Sequence, residues 1–186
     1  MLTLYQSYQL PPNSKCIRVL DILPIPASAS NSDSEPIKCK LRIINLDDCP
    51  RFTALSYVWG TYAPISHFII CDNVKVNITS NCHSALRHLR KKLGKLTIWL
   101  DSVCINQDDQ NEKLRQIPLM GGIYSIAESV YAWLGDGTAE TDRAMAYMAN
   151  AGQYTTFKDL EELLSKDWIT RLWTYQEILL ASNPIV

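Results

Sequence analysis

Residues 96–101 read LTIWLD, an almost wholly apolar run closed by an aspartate. A surface strand alternates apolar and polar residues. A run without alternation predicts a strand buried on both faces, as in a parallel sheet covered by helices. The flanking segments agree. In SNCHSALRHLRKKLG (80–94), Cys82, Ala85, Leu86, Leu89 and Leu93 fall on one helical face, Ser80 or Asn81 can cap the start, and Gly94 can end it. A second helix is predicted from about Asp109 to Glu128, with apolar positions Leu114, Ile117, Met120, Tyr124 and Ala127. Pro118 and the pair Gly121-Gly122 predict a kink inside it. SVYAWLG (129–135) is another buried strand, and FTALSYV (52–58) an earlier one, ended by Trp59-Gly60. From Phe52 onward the order is strand, hairpin, helix, strand, helix, strand, helices. That alternation predicts an α/β fold with a largely parallel sheet flanked by helices.

Upstream, CIRVLDI (from Cys16) and IKCKLRIINL (from Ile37) read as strands by alternation and β-branched content. The Pro- and Ser-rich stretch 24–36 between them reads as a surface loop. HFIICDNVKVNI (67–78) reads as a hairpin turning at Asp72-Asn73. TAETDRAMAYMANAG (138–152), TTFKDLEELLSKD (155–167) and ITRLWTYQEILLA (169–181) read as amphipathic helices, and the final NPIV as the start of a strand. One domain over residues 1–186 results, with N-terminal strands at about 16–50 and a core at about 51–186. The unfinished last strand predicts a longer protein continuing past residue 186.

Composition narrows the function. A net charge of −1 provides no field to draw nucleic acid or an anionic membrane. Apolar runs of a few residues fall far short of the roughly 20 needed to span a bilayer. Met1–Leu10 lacks the basic region and cleavage site of a signal peptide. The expectation is a soluble cytoplasmic protein without nucleic-acid or membrane partners. Cys16, Cys39, Cys49, Cys71, Cys82 and Cys104 form no CxxC pair, which argues for reduced, mostly buried thiols over a zinc or redox motif. The three histidines have no metal-ligand spacing, so no metal is expected. Nothing in the spacing joins Cys104 to His83 or His88 as a nucleophile and its base. The glycines form neither a P-loop nor a dinucleotide fingerprint.

Open α/β sheets bind ligands beyond the carboxyl ends of their strands. Three such ends, Ser56–Gly60, Asp101–Gln107 and Leu134–Gly137, should converge on one crevice. Ser56, Tyr57, Trp59, Gly60, Asp101, Ser102, Asn106 and Gln107 are therefore candidate binding residues. Asp101 can accept from a ligand or cap its own turn, and Asn106 and Gln107 read equally as turn chemistry. In the last helix Trp173 and Glu177 lie four residues apart, on one face. A carboxylate beside an aromatic on a half-buried face is held at raised pKa for catalysis, or it makes a structural hydrogen bond. Spacing alone leaves both open.

TALSYVWG (53–60), IWLDSVCINQDD (98–109) with EK..Q (112–116), M.GIY..A..V.AWLG (120–135) and RLWTYQEILLA (171–181) together resemble the fungal heterokaryon incompatibility (HET) domain. The likeness runs from about Cys16 to Ala181, with its blocks in the family's order. It implies a module of fungal non-self recognition that triggers cell death. It also implies a distant likeness to TIR domains, which are flavodoxin-like units, some cleaving NAD and others acting as assembly adaptors. The expected fold is thus flavodoxin-like or TIR-like with an N-terminal β-rich extension. TIR enzymes carry a W-C-x-x-E motif with a catalytic glutamate. Trp173 and Glu177 match its ends, and Thr174 stands at the cysteine. The resemblance makes Glu177 the candidate catalytic carboxylate and Trp173 its packing partner and a substrate contact. It implies NAD as substrate, no resident cofactor, a homo-oligomer, and upstream recognition or NLR-type partner domains. Pro118 and the unmatched NAD-site loops depart from the TIR pattern. The rival reading is a non-enzymatic interaction module, with Trp59, Trp133 and Trp173 as core or assembly contacts.

Overall fold

The computed structural model describes residues 4–27, 35–60, 67–149 and 154–186; the side chains of Leu172 and Trp173 lie outside this set, as do parts of the expected 24–36 loop and 138–152 helix. The strands are β1 (Cys16–Ile22), β2 (Lys38–Asn45), β3 (Thr53–Tyr57), β4 (His67–Cys71), β5 (Val74–Ile78), β6 (Leu96–Trp99), β7 (Ser129–Trp133) and β8 (Pro184–Ile185). They form one sheet in the order β5-β4-β2-β1-β6-β3-β7-β8. The helices are α1 (Leu4–Ser7), α2 (Ser80–Leu93), α3 (Asp101–Cys104), α4 (Gln110–Gln116), α5 (Met120–Ile126), α6 (Ala139–Ala149), α7 (Phe157–Leu164), α8 (Asp167–Thr170) and α9 (Leu172–Leu179).

The fold is α/β, with a mixed sheet. β6, β3, β7 and β8 run parallel to one another, as do β2 and β4, whereas β1 is antiparallel to both β2 and β6, and β4 to β5. Connections decide this. β3 to β6, β6 to β7 and β7 to β8 all contain helices, the crossover a parallel neighbour needs; among the described residues none lies between the antiparallel β1 and β2. Counted along the chain from β3, the parallel quartet has the order 2-1-3-4, that of a flavodoxin-like sheet. Its switch point lies at the carboxyl end of β3. LTIW becomes β6, flanked by β1 and β3, with Ile98, Trp99 and Leu100 fully buried.

Several local details differ from the sequence expectation. Thr79, rather than Ser80 or Asn81, caps α2, its hydroxyl accepting from the Cys82 amide at 3.3 Å. Leu93, in the last turn of α2, is exposed. The 109–128 region breaks as Pro118 predicts, into α4, a 3-10 turn at Ile117–Leu119, and α5. Tyr124 and Ala127 are buried as expected, but in the α4 part the inward face is not the apolar one. Leu114 and Ile117 are 64% and 55% exposed, while Glu112 and Gln116 are buried. The reason is Arg18, buried on β1. Its guanidinium donates to both Glu112 carboxylate oxygens, at 2.5 and 2.9 Å, and to the carbonyls of Tyr8 (2.7 Å) and Cys104 (3.1 Å). Glu112 Oε1 also accepts from the Asn106 amide at 2.7 Å. α4 turns its polar side inward to meet this charge.

Breaking a buried pair from one side leaves an uncompensated charge and costs about 3–5 kcal/mol. Arg18→Met should therefore lower unfolding free energy by that order in urea. The double variant Arg18→Met/Glu112→Leu should lose less than the two single losses summed. Additive losses would refute the pairing.

Candidate active site cleft

Alternation along β3 sends adjacent residues to opposite faces of the sheet. Ser56 points toward α9, where its hydroxyl donates to Glu177 Oε2 and accepts from Trp168 Nε1 at 2.8 Å. Tyr57 points the other way, toward Cys82 of α2, and donates to Ser102 Oγ at 2.5 Å. Past β3, Gly60 has a φ of +72°, in the left-handed region that glycine enters without strain. Trp59, just before it, reaches Asp101 at the end of β6. Its indole N–H lies 2.9 Å from each oxygen of Asp101. Asp101 Oδ1 accepts from the Ser102 amide at 2.7 Å, and Gln107 Nε2 donates to the Asp101 carbonyl at 2.9 Å.

These elements enclose a cleft of about 540 Å³, within the usual size of small-molecule sites. Trp59, Asp101, Gln107 and Glu177 line it, with Ile105, Ile117, Pro118, Met120, Tyr124, Lys113, Arg171 and Gln176. Of the residues singled out from sequence, Ser56 is buried beneath Glu177 and holds it. Tyr57, Gly60, Ser102 and Asn106 are outside the lining: Tyr57 by strand alternation, Ser102 and Asn106 with their backbone amides given to Asp101 and Glu112, and Gly60 beside Asn81. The loop after β7, expected in the same crevice, lines a different cavity through Asp136. Trp173 sits in α9 with its side chain outside the described ones. Sequence reasoning missed Tyr124, Lys113, Trp168 and Arg171. Tyr124 reads as an ordinary core position, and only its phenol reaching the carboxylate reveals otherwise. Arg171 heads the segment RLWTYQEILLA, and a cation near its glutamate is the available signal.

Thr174, at the middle of that segment, is buried. Its hydroxyl lies 2.6 Å from the Arg171 carbonyl and 2.9 Å from the Trp168 carbonyl, tying α8 to α9. α5 lies against α9 at Gly121, where an added Cβ would make ordinary contact with Leu180 Cδ1 at 3.4 Å and Gln176 Nε2 at 3.8 Å.

Electrostatics set the two acids apart from surface carboxylates. Burial pushes the Asp101 carboxyl up to about 6, against the pull of the Trp59 and Ser102 N–H groups and of Arg171. Burial also raises Glu177, and Asp101 raises it further, while Ser56, Arg171 and Tyr124 favour its ionised form. Tyr124 is itself held un-ionised by burial and by Glu177, and so serves as a donor. Among the described residues no group of three His, Cys, Asp or Glu is placed to hold a metal. Cys104 is fully buried, with burial pushing its thiol up to about 12, so it is no thiolate nucleophile.

A flavodoxin-ordered α/β sheet with two perturbed acids beyond its strand ends defines a doubly wound domain with an acid-lined cleft. The chain belongs to the heterokaryon incompatibility protein (HET) family, whose model matches residues 52–177 and so brackets every cleft-lining residue. It is similar to heterokaryon incompatibility protein 6, OR allele, of Neurospora crassa, 33% identical over 178 residues, which are 89% of this chain and 25% of that protein. The chain thus spans about a quarter of that relative's length. No solved structure matches it.

Ser56→Ala removes a hydrogen bond that favours ionised Glu177, so the Glu177 pKa should rise further; Asp101→Asn removes a like charge, so it should fall. Side-chain carboxyl NMR titrations of the two variants should move in these opposite directions. In the parent protein, the Asp101 carboxyl should titrate near 6.

Proposed function

We propose that this HET domain signals or executes cell death in fungal non-self recognition, and that its cleft cleaves the nicotinamide–ribose bond of NAD. The observation that carries the reading is Glu177. It is a half-buried carboxylate with raised pKa, oriented by Ser56 and Tyr124, opening on a cleft of dinucleotide-fragment size. Membership of the HET family supports the cellular role, as does the name of the Neurospora relative. The match of Trp173 and Glu177 to the ends of the TIR motif supports the chemistry by resemblance.

In the proposed reaction the C1′–N bond breaks, and nicotinamide leaves with the electron pair. Positive charge develops on the ribose as an oxocarbenium-like state, and water then attacks C1′ and loses a proton. A fixed carboxylate stabilises the developing charge more strongly in a water-poor cleft than in bulk solvent. Glu177 fills that role. Ile105, Ile117, Met120 and the Tyr124 ring offer an apolar wall for the pyridine ring, and Lys113 and Arg171 can meet phosphate oxygens. Trp59, fixed by Asp101, adds an aromatic wall to the cleft. Cell-death signalling by assembly alone is the second reading. Its support is apolar surface on the C-terminal helices, where Phe157 and Leu179 are 83% and 79% exposed.

The test is NAD content and viability of fungal cells expressing the chain, beside NAD hydrolysis by the purified protein. NAD should fall with toxicity, and Glu177→Gln should slow hydrolysis at least about 100-fold, the usual scale for removing one electrostatic stabiliser. The rate should decline as pH falls through the raised Glu177 pKa, because the ionised form acts, and this decline should begin at higher pH than for a free glutamate. Toxicity that persists in Glu177→Gln with NAD constant would establish the assembly reading instead.

A further inference from the structure

Trp168 stands outside the cleft lining, yet it is one hydroxyl away from the carboxylate that the proposed chemistry uses. It belongs to α8, a single turn that meets α9 at Arg171, the residue that closes the one helix and opens the other. Thr174, in the first turn of α9, presents its buried hydroxyl to the Trp168 carbonyl at 2.9 Å, which ties the two helices together at this joint. From there the indole N–H of Trp168 reaches Ser56 on β3, 112 residues earlier in the chain, and donates to its Oγ at 2.8 Å. Glu177 of α9 meets the same hydroxyl through Oε2. One serine of the sheet is thus the meeting point of both C-terminal helices.

Hydrogen bonding gives this trio a direction. An indole N–H only donates, and an ionised carboxylate only accepts. The Ser56 hydroxyl between them carries a single proton, and at 1% exposure bulk water offers it no other partner. With Trp168 donating to Oγ, that proton is left to Glu177 Oε2. A hydroxyl that accepts one bond while donating another is polarised, and the bond it donates is strengthened by about 10–30%. The strengthened bond is the one that matters most to Glu177. Burial is the largest influence on this carboxyl and favours its neutral form; the Ser56 bond is first among the contacts that favour the ionised form, ahead of Arg171 and Tyr124. Without the indole, the hydroxyl is free to turn, and it can equally accept a proton from a neutral Glu177 carboxyl. Both changes favour the neutral acid.

We infer that Trp168 is a positioning residue for Glu177, its indole N–H setting the Ser56 hydroxyl as a one-way donor to the carboxylate and so keeping that carboxylate in its ionised form. Trp168 matters to catalysis through the reading of Glu177 as the carboxylate that acts ionised, on which this role rests. The side chain that prepares Glu177 is then one that lies outside the cleft lining.

Indole and carboxyl NMR titrations of the substrate-free chain test this role. In the parent, the assigned Trp168 indole N–H signal should move with pH at the Glu177 midpoint, and in Ser56→Ala that movement should fall by at least half. Trp168→Phe keeps an aromatic ring and drops the N–H. It should raise the Glu177 pKa by about 0.3 pH unit, the scale of lost polarisation in a charge-assisted hydrogen bond. In the Ser56→Ala background the same substitution should move the Glu177 pKa no further, whereas a residue that merely packs the α8–α9 joint would move it equally in both. In NAD hydrolysis, the acidic limb of the Trp168→Phe rate profile should shift upward with the Glu177 pKa. A parent indole signal that ignores the Glu177 midpoint, an unchanged Glu177 pKa in Trp168→Phe, or an equal rise in both backgrounds would overturn the inference. The parent titration decides the matter even where Trp168→Phe does not fold. A parent that leaves NAD intact refutes the cleavage reading alone, since the titrations need no substrate.

Discussion

The guanidinium of Arg18 fixes the wall on which the cleft depends. It sits on the central antiparallel strand β1 and clamps Glu112 of α4 through two parallel hydrogen bonds, with the backbone carbonyls of Tyr8 and Cys104 taking two more of its donors. Glu112 in turn holds the amide of Asn106. The loop that follows β6 is thereby pinned at its far end to the N-terminal sheet, and Asp101, Ile105 and Gln107 take their places at the cleft as a result. A buried charge pair of this kind is a poor source of net stability but a demanding geometric constraint. It explains why a domain whose ligand cleft lies over β6, β3 and the C-terminal helices still carries an N-terminal pair of strands. β1 supplies the counter-charge that the loop needs.

The cleft itself is organised by competition over ionisation. Asp101 and Glu177 are both driven toward their neutral forms by burial, and the neighbours of each resist. For Asp101 the resistance comes from N–H donors, which also lock Trp59 in position. For Glu177 it comes from hydroxyls on two different elements, Ser56 on β3 and Tyr124 on α5. Arg171 acts on both. Two carboxylates with different partners in one low-dielectric space are a recurrent signature of sites where proton occupancy matters.

The sequence carried the layers of the fold clearly, because apolar runs and helical faces are local. LTIW, SVYAW and the α2 periodicity each mark burial without knowledge of any partner. Sheet direction was less legible: nothing in CIRVLDI itself says that β1 will run against β6. The inward turn of α4 was hidden for a sharper reason. Its Leu114 and Ile117 obey the helical rule, but an arginine 94 residues earlier overrides it. At the site, Glu177, Asp101, Trp59 and Gln107 could be found because they end strands or sit on a helix border. Tyr57 was misplaced by one step of strand alternation, which a sheet with both faces covered does not betray in its hydropathy. Tyr124 and Lys113 come from segments whose local pattern has no bearing on the cleft.

Asn81 joins two regions that otherwise lie apart. Its side-chain amide donates to the Val58 carbonyl at 2.6 Å and accepts from the Trp133 indole at 2.9 Å. Val58 leads directly to Trp59 at the cleft mouth, while Trp133 stands in the cavity across the sheet. One side chain thus bridges the rims of two cavities on opposite faces. Losing the Asn81 side chain would therefore leave two groups without this partner at once, the Val58 carbonyl one residue before Trp59 and the indole N–H of Trp133.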